Sequence, residues 1–193
     1  LAGQLQSETV GVDDFIREGE ETVMQTDLLA YLTPPATHPQ LGQWSADAYE
    51  RYYANRSAAR RFPAYVGFTV LLLAGAGIWW RRRDSLPWIL MVALLVLLAM
   101  GAALRVNGQL YEQVPTLYRL LEPFHVLRLM RVPGRFNLFL ALPMAILAAY
   151  GAAGLLVRVR QWGGAWRVRL LLAALAVAIL FEYWQGPVPL QPV

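Results

Sequence analysis

The sequence predicts an all-α protein, a polytopic transmembrane helical bundle with outer loops and interfacial helices. Three observations predict it. Four stretches, 64–80, 86–104, 136–157 and 168–184, are strongly apolar, and the first three carry no charge. Arginines flank them, and Trp79-Trp80 stands where an aromatic belt would, directly before Arg81-Arg82-Arg83. Hydrophobic residues make up 57% of the 193, whereas an ordinary soluble chain is roughly 45–50% apolar even with glycine counted. A buried helix of a soluble core reaches such purity over about 10–14 residues, short of the runs found here.

Residues 1–63 read as an outer region. Residues 1–26 are acidic and polar with little periodicity, and Asp27–Leu32 is a short apolar patch suited to one or two turns of interfacial helix. Pro34, Pro35 and Pro39 then remove amide donors and push their predecessors out of helical dihedrals, which makes 33–42 a rigid loop. Ser45 is placed to cap a helix over 46–61, with Tyr49, Tyr52, Tyr53 and Arg56 at helical spacing along an aromatic face.

The transmembrane region is 64–184. Its first span, 64–80, reaches about 25 Å at ~1.5 Å per residue, near the short limit for a bilayer core of about 30 Å. The second, 86–104, follows so closely that the two form an antiparallel hairpin with the arginine triplet at its tip. Asn107-Gly108 marks a turn beyond it, and Val114–Leu121 suits a short helix. The third span, 136–157, contains Pro143, a candidate kink, while Gly151 and Gly154 thin one face for helix packing. The fourth, 168–184, needs Arg169 to snorkel. Residues 185–193, with Pro187, Pro189 and Pro192, read as an exit toward a further outer domain, and the chain as an internal fragment of a longer polypeptide.

Charge is segregated. Nine of the thirteen acids lie in 1–50 and sixteen of the seventeen basic residues, all arginine, lie in 51–193. The connectors 81–85 and 158–169 hold seven arginines and one acid, Asp84, so the positive-inside rule makes them cytoplasmic and places 1–63 and 105–135 outside. The predicted location is a bacterial cytoplasmic (inner) membrane. Arginines that flank apolar spans do not suit nucleic acid, whereas membrane lipids are expected partners.

Few residues suggest chemistry. Arg128, Arg131 and Arg135 recur at helical spacing beside the third span, where they can clamp a phosphate bidentately or snorkel to lipid phosphates. His38 and His125 are the only histidines, and neither has neighbours at metal-ligand spacing, so no metal site is predicted from the residues. Asp27 and His125 are the candidate catalytic groups. Glu182, inside the fourth span, is costly to bury unless paired, and a loop arginine is its expected partner. Asn55-Arg56-Ser57 matches a glycosylation sequon, a motif short enough to arise by chance. Cysteine is absent, which excludes thiolate chemistry.

Several stretches together resemble the bacterial polytopic membrane proteins related to the GT-C-fold glycosyltransferases, the YfhO-like or 6-pyruvoyl-tetrahydropterin-synthase-related membrane domain group. They are Asp27–Gly42 (DLLAYLTPPATHPQLG), Tyr65-Val66-Gly67, Val106-Asn107-Gly108, Leu127–Phe136 (LRLMRVPGRF), the run through Tyr150-Gly151, and Glu182-Tyr183. The resemblance implies a glycosyltransferase that uses a polyprenyl-phosphate-linked sugar at the outer membrane face, with Arg128, Arg131 and Arg135 on the lipid phosphate. It also implies a catalytic acid upstream of Leu1 and leaves room for a divalent cation such as Mg or Mn. The alternative is a non-catalytic membrane scaffold or transport component for lipid-linked sugars.

Overall fold

Long runs of leucine, alanine and valine satisfy their backbone groups as helix, and the chain is mostly helical. The computed structural model describes residues 25–52, 64–121 and 133–186. In order these form a 3-10 turn at Leu28–Tyr31, then helix α1 at Gly42–Tyr52, α2 at Phe68–Trp80 and α3 at Arg82–Ala99. A two-stranded antiparallel hairpin follows, β1 at Leu104–Val106 and β2 at Gln109–Tyr111, and then α4 at Leu117–Leu121 and α5 at Phe136–Glu182. One helical run, Pro133–Glu182, is long and apolar enough to cross a membrane, and α2 is a shorter apolar helix.

The register of α2 on α5 is set by small residues. A Cβ on Gly77 would stand 2.3 Å from the Leu147 carbonyl oxygen, and one on Gly151 would stand 1.8 Å from that of Leu73. Backbones therefore touch where the side chains are only hydrogens, which maximises van der Waals contact. Further along, Gly154 leaves room for the Trp80 ring. Gly77 thus meets the turn from Leu147 to Gly151 and Trp80 meets Gly154 beyond it, so α2 and the first part of α5 run parallel. Helix α3 returns the chain alongside α5, and its Ala99 carbonyl accepts from the Thr26 amide at 3.1 Å, back at the starting end.

Although α5 is helical over 47 residues, it does not run straight. Leu147 lies against Gly77, about 12 Å along α2 from Thr69, yet Glu182 accepts a hydrogen bond from the Thr69 amide. A straight helix would carry Glu182 about 52 Å past Leu147 at ~1.5 Å per residue. The chain must reverse, and Gly164 is where it does so, with φ 75° and ψ −177° inside otherwise helical dihedrals. The expected connector 158–169 is therefore replaced by two helical arms, 136–163 and 165–182, joined at one residue. Pro143 keeps helical dihedrals, and the departure lies at Gly164 instead.

Other boundaries differ for local reasons. The α1 helix begins at Gly42, where the Pro35–Ala36 backbone passes so close that a Cβ would stand 2.4 Å from the Ala36 oxygen. Ser45 is then inside the helix, where its hydroxyl bonds back to the Leu41 and Gly42 carbonyls, and it is not the cap. The α3 helix takes in Arg82–Ser85 and stops at Ala99, so 86–104 is shifted toward the arginines. The Asn107-Gly108 turn, with φ 53° and 80°, closes a hairpin where the sequence predicts only a turn.

The buried core joins Ala74 of α2 and Leu95, Leu98 and Ala99 of α3 to Phe136, Leu140, Met144 and Leu147 of α5, with Ala30, Tyr31 and Tyr52 laid over its end. Outside this core the helices bear exposed Leu72, Leu90, Leu94, Phe139, Leu142, Leu170 and Leu180. From residue 161 to 181 nothing is fully buried.

Candidate functional site

Polar side chains concentrate at the end of the bundle where α2 and α5 begin and where α5 finishes. Three clusters gather there, the first two tying down the 25–42 segment and the third joining the end of α5 to the start of α2.

Asp27 forms the first. It is fully buried, and its Oδ1 accepts from the Leu29 amide at 2.9 Å, capping the 3-10 turn. The same carboxylate reaches across 80 residues, Oδ1 accepting from the Asn107 amide at 3.1 Å and Oδ2 from the Gly108 amide at 2.7 Å. The turn is left-handed at both residues and points both amides at one carboxylate, a backbone that Asn-Gly adopts readily. With three amide donors Asp27 is electrostatically satisfied and closed to solvent, a position that suits a structural anchor.

His38 forms the second. It is buried, and its Nδ1 accepts from the amides of Gln40 at 3.2 Å and Leu41 at 2.9 Å. Nε2 must then donate, and it does so to the Phe181 carbonyl at 2.7 Å. The ring stands edge-on to Phe181, 5.1 Å between centroids. Both nitrogens are engaged, and the proline loop is pinned to the last turn of α5, helped by the Gly186 amide donating to the Thr37 carbonyl at 3.0 Å.

Glu182 forms the third. Its expected arginine partner is absent among the described residues. Instead Oε1 accepts from the Thr69 amide at 2.9 Å and from the Thr69 hydroxyl at 3.0 Å, and Oε2 lies 3.1 Å from the same amide. The orphan amides and positive dipole end of α2 serve the carboxylate in place of a side-chain cation. Gly67 makes this approach possible, since a Cβ there would stand 2.8 Å from Oε2. Next to it the Tyr183 hydroxyl donates to the Val66 carbonyl.

Between these clusters lies a buried relay that sequence reasoning missed. The Tyr31 hydroxyl donates to Asn137 Oδ1 at 2.8 Å, and Asn137 Nδ2 donates to Thr26 Oγ1 at 2.9 Å. Burial pushes the Tyr31 phenol well above the ordinary tyrosine range, with the Thr26 hydrogen bond opposing it in part. Asn137, a lone amide at the start of a long apolar run, was the one available signal.

Of the anticipated phosphate-binding arginines, Arg135 is exposed at the start of α5, at this same end. Arg128, Arg131 and His125 lie outside the described residues, as does the sequon at Asn55. Asp27, His38, Glu182 and Arg135 thus share one end of the bundle, but the first three are held apart in separate hydrogen-bonded clusters. Among the described residues no group of three or more His, Asp or Glu side chains is placed to hold a metal ion.

Comparison of the chain with family models, with curated proteins and with solved structures gave no match.

Proposed function

We infer that this chain is a multi-pass membrane module that braces the outer face of a GT-C-like glycosyltransferase acting on polyprenyl-phosphate-linked sugars. The observation that carries the membrane part is the second arm of α5. Its leucines, alanines and valines bury nothing fully until Glu182, and the apolar window of the whole run is only 33% buried. A core helix of a water-soluble protein derives its stability from burial. An arm with so little burial needs an apolar solvent, and lipid is that solvent.

The four helical arms then run up, down, up and down. The arginine-rich helix ends at 81–85 and 158–169 lie in the cytoplasm, and the Asp27, His38 and Glu182 clusters lie outside. The membrane is the bacterial inner membrane. Arg135, exposed and without an ion-pair partner among the described residues, sits at headgroup depth with Arg128 and Arg131 close in sequence. Cations fixed there stabilise the charge that grows on a departing lipid phosphate. The acid that activates the acceptor lies outside the described residues. Asp27 remains a weaker candidate for that role, because its oxygens already hold three amides.

The same engagement of Asp27, His38 and Glu182 favours a second reading, a scaffold or transport component for lipid-linked sugars with no transfer chemistry. Two measurements decide. Membrane-impermeant thiol labelling in intact cells should reach Trp44→Cys from outside and leave Arg81→Cys unlabelled, with no native cysteine competing. Labelling of both from outside overturns the topology. In the full-length protein, Arg131→Ala with Arg135→Ala should abolish sugar transfer while insertion persists; retained transfer removes the arginines from the reaction.

A further inference from the structure

The opposite end of the bundle holds a cleft of about 340 Å³ lined by Arg81, Ala153, Gly154, Val157, Arg158 and Gln161. We propose that this cleft binds the phosphate of an anionic phospholipid headgroup in the cytoplasmic leaflet, through Arg81 and Arg158. The proposal rests on the membrane reading above and concerns the leaflet opposite the sugar-handling face.

The cleft is built rather than incidental. Gly154 brings its backbone against the Trp80 ring, where a Cβ would stand 2.2 Å from a ring carbon. One turn later Arg158 lays its guanidinium on that ring, 3.9 Å from the centroid, and its Nη1 donates to the Gly154 carbonyl at 3.3 Å. Trp80 is thus held between the Gly154 backbone and Arg158. On the other side Arg81 stands 5.4 Å from the centroid of the Tyr150 ring. A guanidinium on an aromatic face keeps its in-plane N–H fork free for a phosphate, at reduced cost in side-chain entropy.

Charge leaves the site in need of an anion. The helix ends here contain seven arginines against Asp84, which reaches Arg81 only at 3.9 Å in an exposed pair. Arg158 has no carboxylate partner among the described residues. Depth points the same way. Trp79, Trp162 and Trp166 are 69%, 80% and 60% exposed at this end, and tryptophans collect at the headgroup level of a bilayer. Val157 and Ala153 give the cleft an apolar wall on the lipid side. A diacyl phosphate presents both features, an anion at this depth and chains beside α5.

The test uses the protein in mild detergent, with native mass spectrometry counting bound phosphatidylglycerol, phosphatidylcholine and inorganic phosphate. Phosphatidylglycerol should stay bound, and Arg81→Gln with Arg158→Gln should weaken it about tenfold or more through the loss of two charge-assisted contacts to the phosphate. Removing the same charge by Arg167→Gln with Arg169→Gln should weaken it less than about twofold. Equal losses in the two pairs mean a diffuse basic face and overturn the site. Equal retention of phosphatidylcholine overturns the anionic preference, and displacement of the lipid by millimolar inorganic phosphate overturns the lipid source. Should the first pair fail to fold, a photoactivatable phosphatidylglycerol in the unaltered protein must crosslink within 79–84 and 153–161; crosslinks confined to 165–182 overturn the proposal. A protein that stays monomeric in water without detergent defeats the membrane reading instead, a result separable from all of these.

Discussion

Glu182 caps a helix to which it is joined only through 113 residues of intervening chain, its carboxylate resting on the amide and hydroxyl of Thr69. This contact fastens the end of the second arm of α5 to the beginning of α2. It also replaces a local N-cap, because Gly67 has no side chain to offer. Since an exposed apolar arm has little packing to hold it, this terminal contact fixes where the arm ends.

Replacing Glu182 by alanine leaves the Thr69 amide without its acceptor and should destabilise the protein by about 1–2 kcal/mol, the usual range for loss of a helix cap. Glu182→Gln keeps one oxygen for the Thr69 amide and should lose less than half of that. Thermal unfolding in detergent measures both. Equal melting temperatures for the Glu182→Ala variant and the parent protein would show that the cap contributes nothing.

At Gly164 the φ of 75° with ψ near 180° is a conformation that only glycine adopts without strain. A Cβ there would meet no atom within 4 Å, so Gly164→Ala isolates the backbone cost, about 1–3 kcal/mol. Gly163→Ala is the matched control. Its Cβ would meet the exposed Arg167 side chain, which can swing into solvent for the loss of one exposed hydrogen bond to the Trp162 carbonyl, so its effect should be small. A spin-label pair at Trp44 and Trp162 should report a broadened distance distribution only in the Gly164 variant. Indistinguishable distributions in the two variants would remove Gly164 as the pivot.

These two residues show what a linear reading reaches. The apolar runs, the Asn-Gly turn and the small face at Gly151 and Gly154 are local patterns, and helices and a turn stand at those places. The single-residue reversal is not legible, because Gly163-Gly164 inside a basic stretch looks like any loop, and helical dihedrals on both sides depend on tertiary contacts. Glu182 was recognisable as a buried carboxylate in need of a partner. Its partner was not, since an amide freed at a helix start has no letter in the sequence. The bonding of Asp27 was hidden for a related reason. A carboxylate before a proline loop suggests chemistry, and nothing near it in the sequence announces that its acceptors are taken up by one local amide and two from a hairpin 80 residues on.

Alkaline pH should weaken the Tyr31–Asn137–Thr26 relay. Burial raises the Tyr31 phenol in the folded state and pushes that of Tyr49 up to about 12, against about 10 in an unfolded chain. The folded protein therefore holds these protons more tightly. The stability linked to them is complete below pH 10 and declines as pH rises above it. Denaturant midpoints measured from pH 8 to pH 11.5 should fall above pH 10, and Tyr31→Phe should flatten the slope while lowering the midpoint at neutral pH. An unchanged slope in Tyr31→Phe would assign the decline to other tyrosines.

The Asp27 cluster makes the sharpest separation between anchor and catalyst. As an anchor, Asp27 gathers the 3-10 turn and the hairpin through three amide bonds, and each bond to a charged acceptor is worth roughly 1.5–3 kcal/mol. Asp27→Ala strands three buried donors and should cost about 3 kcal/mol or more, with amide exchange at Asn107 and Gly108 accelerated well beyond that elsewhere in the bundle. Asp27→Asn retains one acceptor oxygen but turns N–H groups toward a backbone amide, so it should fall between the two. A catalyst predicts a different pattern. Asp27→Asn would then abolish sugar transfer in the full-length protein with melting temperature and amide exchange unchanged. Loss of turnover in step with loss of hairpin protection follows from the anchor alone, because opening the hairpin releases the outer layer from the ends of α2 and α5.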